Sequence, residues 1–276
     1  MRKLLQKKWF ERTALLVIFG LISVVFTSIF IVNGQIALDS DGSFHFSRVE
    51  ELYQNLKAGS FFTFIATHTF HGSGVGTFLF YPAVFLYPWA GLRFIVDPIS
   101  AFYIWYGAII FLTLVIAYYS MVNFSKSRLR AYIFALFYTI ASYHLYLGIK
   151  NYVLGEFIAY MFVPLVMYGF YEVIWGEPKK WPLLAIGTTA LLYSHLLSVA
   201  MAVDIMTMLL VIGLIAKTSL TWQRVGALLK SVALAFILGA WVIVPFITDY
   251  LKSDLGGPRP GFTWVLSVTE LLNASL

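Results

Sequence analysis

The sequence predicts an all-α fold: a polytopic transmembrane helical bundle of about seven spans, forming a single module over residues 1–276. Three observations predict it. Of the 276 residues, 60% are apolar and only 12% are charged, against about a quarter charged in soluble domains. Apolar stretches at 14–33, 99–121, 131–149, 157–175, 182–216 and 226–247 each reach or approach the ~20 residues that cross a hydrocarbon core of about 30 Å. The basic residues fall in short clusters between these stretches, so the formal charge of +6 reads as a set of orientation signals and not as a nucleic-acid surface. With no cysteine, the chain has no thiol, disulfide or iron–sulfur chemistry.

The first apolar run follows Arg2, Lys3, Lys7, Lys8 and Arg12 and ends in Phe30-Ile31-Val32-Asn33 without a small-residue cleavage site, so it is expected to stay as an anchor. Residues 34–98 form the first outer loop. Within it, 77–96 is apolar but broken by Pro82 and Pro88. If that segment stays within the loop, the inside holds 13 Lys/Arg and the outside 6. A full crossing would leave 9 inside against 10 outside, contrary to the enrichment of Lys/Arg in cytoplasmic loops. Segment 77–96 is therefore expected to be re-entrant or interfacial, its proline breaks satisfied by protein or head groups. The run 182–216 is too long for one crossing and splits at an outer turn near Tyr193–Ser198. The amino end lies inside, the tail 249–276 outside. Nine of the thirteen acidic residues then fall in outer pieces, and candidate chemistry converges on that face.

The first outer loop carries the clearest pattern. A juxtamembrane helix is expected over 42–58, capped by Asp41 or Ser43 and stopped by Gly59. Val49, Leu52, Tyr53 and Leu56 form one apolar stripe, which places the helix on the membrane surface. At about 100° per residue, Asp41, His45 and Arg48 fall within roughly 60° of one another beside that stripe. The pair Asp39-x-Asp41 suits a hard divalent cation, magnesium or manganese, that neutralises phosphate, and a carboxylate there can serve as a general base. Arg48 suits a pair of phosphate oxygens. The competing reading makes these solvated loop charges, with Asp41 acting only as a cap. His68 and His71, three apart ahead of a glycine turn that has no P-loop Lys, read as interfacial hydrogen-bonders, with a metal-binding pair as the competing reading.

Three later residues join the candidates. Glu156 begins a span at the outer interface, where an ionisable side chain is a functional candidate, although an acid also suits a helix start. Lys150 can hold a lipid phosphate or snorkel. His195 ends the fifth span as either a packing or a catalytic histidine. His144 and Asp204, deeper in their helices, read as structural.

The basic start and anchor are followed by Asp-Ser-Asp-Gly-Ser-Phe-His-Phe-Ser-Arg-Val-Glu-Glu-Leu, then Phe80-Tyr81-Pro82 with Phe85-Leu86-Tyr87. Next come Leu154-Gly155-Glu156-Phe157-Ile158-Ala159 with Pro164-Leu165, and then Ser194-His195. This order resembles the bacterial GT-C-type integral membrane glycosyltransferases, in the branch related to proteins that glycosylate lipoteichoic and wall polymers. The resemblance implies transfer of a sugar from a polyprenyl-phosphate-linked donor to a cell-envelope glycan or lipid acceptor, outside a bacterial plasma membrane. It implies that Asp41, with Asp39, is the first-loop acid, Glu156 the second acid and His195 the third outer position. His45, Arg48 and Lys150 would then bind substrate, and Asp39, Asp41 and Glu156 a cation. Two departures stand out: Lys150 and Asn151 replace an arginine ahead of the Gly-Glu, and members of that family are usually longer. The chain is therefore expected to be either a truncated product or the catalytic half alone. The rival readings are a transporter or lipid flippase, which calls for paired mid-bilayer charges and repeated halves, and a non-catalytic membrane scaffold.

Overall fold

The computed structural model describes residues 2–31, 36, 40–217 and 220–250; Asp39 and the tail from 251 lie outside them. The described residues are helical, with one isolated antiparallel bridge, Ala66–Val75, and no strand. In order the helices are α1 (Arg2–Ile31), α2 (Gly42–Lys57), α3 (Thr77–Phe80), α4 (Tyr87–Leu92), α5 (Pro98–Ser125) and α6 (Arg128–Thr139). They continue as α7 (Ser142–Ile149), α8 (Leu154–Ile174), α9 (Trp181–Leu192), α10 (Leu196–Ile215) and α11 (Trp222–Pro245), which runs into a wider turn at Phe246–Tyr250.

Five of these helical stretches are long and apolar enough to cross a membrane: Trp9–Ile29, Pro98–Ser125, Leu154–Ile174, Leu196–Ile215 and Trp222–Asp249. The bent pair α6–α7 makes up to six. This is the pattern of a helical membrane bundle. The expected single span over 131–149 is in fact broken, with a 43° bend between its halves. At Ala141 the backbone leaves the helical region, and His144 Nδ1 lies 2.8 Å from the Thr139 carbonyl oxygen that the break releases. His144 therefore has the structural role expected of it. The split of 182–216 falls at Tyr193–His195, as expected. The first piece, α9, has only 12 residues, about 18 Å of helix.

α5 is the centre, packed against α1, α6 and α8. Its start is fixed by Asp97, which accepts from the amides of Ile99 and Ser100 ahead of Pro98. α8 crosses α9 through glycines: a Cβ on Gly169 would lie 2.8 Å from Leu184 Cα, and one on Gly187 2.9 Å from Val166 Cγ2. α9 in turn packs on α11.

Segment 77–96 is divided into α3, a 3-10 turn at Val84–Leu86 and α4, none longer than six residues. No single helix there is long enough to cross. Gly59 ends α2 with φ +80°, as expected. The apolar stripe of α2, however, packs on protein and not on a membrane surface. Val49 and Leu52 are buried in the core, and Phe46 meets Trp89 edge-on at 4.7 Å. Trp89 stacks in turn on Trp105 of α5. The short pieces of 77–96 supply the apolar partner that a lipid surface would otherwise have provided.

Candidate functional site

Three of the longer helices, α2, α8 and α10, begin within one small region. Asp41 occupies the position before α2, but its carboxylate makes no capping hydrogen bond. Its amide donates to the Asn151 carbonyl oxygen, 3.4 Å away, in the loop that leads into α8. Glu156 lies in the first turn of α8 and accepts from the Tyr143 hydroxyl at 2.7 Å. His195 precedes α10, with Nδ1 2.9 Å from Ser198 Oγ.

Tyr81 joins these pieces. It precedes Pro82 and is extended, at φ −128° and ψ 113°, which turns its ring towards the helix starts. Its hydroxyl accepts from the Gly155 amide at 3.2 Å. Its ring lies 6.0 Å from that of His195 and edge-on to His45 at 5.3 Å. Gly155 is required here because a Cβ would lie 2.6 Å from Tyr81 Cε2. Burial raises the Tyr81 pKa; the Arg48 charge opposes this, and the negative charges of Asp41 and Glu156 add to it. Both acids thus act electrostatically on the same phenol.

Arg48, expected to grip a phosphate, is placed differently. It is fully buried. Nη2 donates to the carbonyls of Tyr81 at 2.6 Å and Pro82 at 3.0 Å, and the guanidinium lies over the rings of Phe44, Phe78 and Tyr81. Burial lowers its pKa to about 10, against a smaller raising influence from Tyr81, so it stays charged. Arg48 is therefore a clamp that fixes Tyr81, not a surface for an anion. Of the helical edge read from the sequence, His45 and Arg48 are buried and Asp41 is exposed.

His45 is also buried, and its pKa is lowered well below the usual value by burial, then by the charges of Arg48 and His195. It is neutral. Arg48 Nη1, which can only donate, lies 3.4 Å from His45 Nδ1, so the ring proton sits on Nε2. That Nε2 is buried with no hydrogen-bond partner among the described residues. His195 is partly exposed, and burial lowers its pKa against an opposing pull from Glu156. Lys150 is exposed, next to the Asn151 that holds Asp41.

The structure thus brings Asp41, His45, Glu156 and His195 around Tyr81, with Lys150 at the edge. Asp39 lies outside the described residues. Among the described residues, no group of three or more His, Asp or Glu side chains is placed to hold a metal ion. His68 and His71 do not form a pair either, since His68 turns to Glu51 at 3.1 Å. Sequence reasoning missed Tyr81 as the organiser; its only signal was its place before Pro82. Compared with protein-family models, curated proteins and solved structures, the chain matches none.

Proposed function

We propose that the protein is a membrane glycosyltransferase that moves a sugar from a polyprenyl-phosphate-linked donor to a cell-envelope acceptor. The observation that carries this reading is the gathering of two carboxylates, Asp41 and Glu156, with three helix N-termini around Tyr81. In the proposed step, Asp41 takes the proton of an acceptor hydroxyl. The acceptor oxygen bonds to the sugar's anomeric carbon as the bond from that carbon to the lipid phosphate oxygen breaks. Lys150 and the positive ends of α2, α8 and α10 favour the departing phosphate. Glu156, oriented by Tyr143, faces the partial positive charge at the sugar's anomeric carbon, and His195 donates a hydrogen bond to a sugar hydroxyl oxygen. The resemblance also implies magnesium or manganese. Asp41 and Glu156, with Asp39 as the sequence suggests, would hold such an ion together with donor phosphate oxygens and water, and it would offset the charge of the departing phosphate.

An apolar, aromatic cleft of about 450 Å³ runs along α8 between Val163 and Trp175, lined also by Phe124, Phe134 and Tyr138. It begins about 10 Å of helix rise from Glu156 and suits an isoprenoid chain. The proposal places the amino end in the cytoplasm of a bacterial cell, with seven crossings if α9 counts as one, and the site outside.

The test compares envelope glycans of a deletion strain with those of strains complemented by wild type or by Asp41→Asn. Glycan loss restored by wild type and not by Asp41→Asn, at equal membrane levels, supports the reading. Restoration by Asp41→Asn, or no change on deletion, overturns it.

A further inference from the structure

The outer segment Ser60-Phe61-Phe62-Thr63-Phe64-Ile65 belongs to neither the candidate site nor the core. It is held at both ends. The Ser60 amide donates to the Asn55 carbonyl at 2.8 Å, the Ala66–Val75 bridge closes the far side, and Tyr87 donates to the Phe61 carbonyl at 2.8 Å. Its apolar side chains nevertheless point outward, with Phe61 66% exposed, Phe62 68% and Ile65 50%.

The neighbour of this segment fixes its height. Phe62 and Phe64 each pack on Trp241 of α11, at ring distances of 5.1 Å. α11 carries exposed tryptophans at Trp222 and Trp241, which are separated by about 28 Å of helix rise. That matches the ~30 Å hydrocarbon thickness, and tryptophans favour the two membrane–water interfaces. Trp241 therefore marks the interface on the site's side, and residues packed on it lie at the same level. α3, the neighbouring part of the outer loop, instead also reaches the turn Phe246–Tyr250, further out along the chain. The segment thus packs at the level of Trp241, whereas α3 also reaches the last turn.

We propose that Ser60–Ile65 is an interfacial anchor, with Phe61, Phe62 and Ile65 seated in the lipid leaflet on the side of the candidate site. The rings supply apolar area at head-group depth, and the hydrogen-bonded ends hold the backbone. The anchor ties the whole outer loop, and with it α2 and Tyr81, to the membrane surface.

Because the chain has no cysteine, single-site labelling is direct. Phe61→Cys, Ile65→Cys and Ser73→Cys would each carry a nitroxide in the full chain, reconstituted into phosphatidylcholine–phosphatidylglycerol vesicles. Collision rates with oxygen and with a water-soluble nickel chelate are then compared. The expected result is a shift towards oxygen at Phe61 and Ile65 relative to Ser73, an exposed position in the same loop. Equal nickel access at all three positions overturns the proposal. Equal oxygen preference at all three overturns an anchor confined to Ser60–Ile65.

Discussion

Glu51 and Arg48, three residues apart on α2, are both fully buried and both charged, and each hydrogen-bonds backbone groups of the loop that folds over the helix. Glu51 accepts from the amides of Thr67, His68 and Thr69 at 2.8–2.9 Å, and from Thr69 Oγ1, Asn55 Nδ2 and His68 Nδ1. Burial alone would raise its pKa, but these bonds, led by that from Thr67, outweigh it and hold it at about 2. A carboxylate whose pKa is lower in the folded state stabilises the fold above its unfolded value. That stabilisation is full above about 4.5 and is lost as pH falls towards 2. Glu51→Gln should therefore cost about 2 kcal/mol near neutral pH, because its amide turns donors against donors. Thermal unfolding in detergent should show a lower midpoint at pH 7 and a flatter response between pH 4.5 and 2 than wild type. Neither residue's burial was legible in the sequence, where Arg48 read as a polar position beside an apolar stripe and Glu51 as one of the outer-loop acids. Burial is set by the 61–82 loop, which carries no periodic pattern to say where it folds.

Helices with a strong local signal were legible. α2 and its Gly59 stop follow from periodicity and the left-handed glycine, although the expected side-chain cap does not form, and the α9–α10 break follows from a run too long for one crossing. The α6–α7 bend was not legible, because Thr139-Ile140-Ala141-Ser142 contains neither proline nor glycine and the break is stabilised by the His144 side chain. The amphipathic stripe of α2 was correct as a pattern and wrong as to partner, since periodicity says that a face is covered and not by what. The α8–α9 crossing makes the packing testable. Gly169→Val places new carbons against the Leu184 backbone, which cannot move without carrying α9 with it. Overpacking of this kind costs about 1–3 kcal/mol. Detergent unfolding should register that loss, whereas Gly226→Ala, where nothing lies within 4 Å of an added Cβ, should be neutral or slightly stabilising.

Across the whole molecule, the scarce charges divide the two ends of the bundle. One end is held by Arg128–Glu11, by Lys180 with Glu172 and Glu177, and by Arg224 on the carbonyls of Val173 and Gly176. The opposite end holds Asp41, Glu156 and Lys150 around Tyr81. Counting Lys and Arg by loop suggested this division, but only the fold reveals that α2, α8 and α10 start beside one another. The glycosyltransferase reading requires that end to face outward, and one labelling experiment decides it. Ser43→Cys, two residues from Asp41, and Lys179→Cys at the other end are both exposed positions in a chain without native cysteine. A membrane-impermeant maleimide should label Ser43→Cys in intact cells and Lys179→Cys only after permeabilisation. Labelling of Lys179→Cys in intact cells, with Ser43→Cys protected, would place the site in the cytoplasm and contradict an enzyme of the outer face.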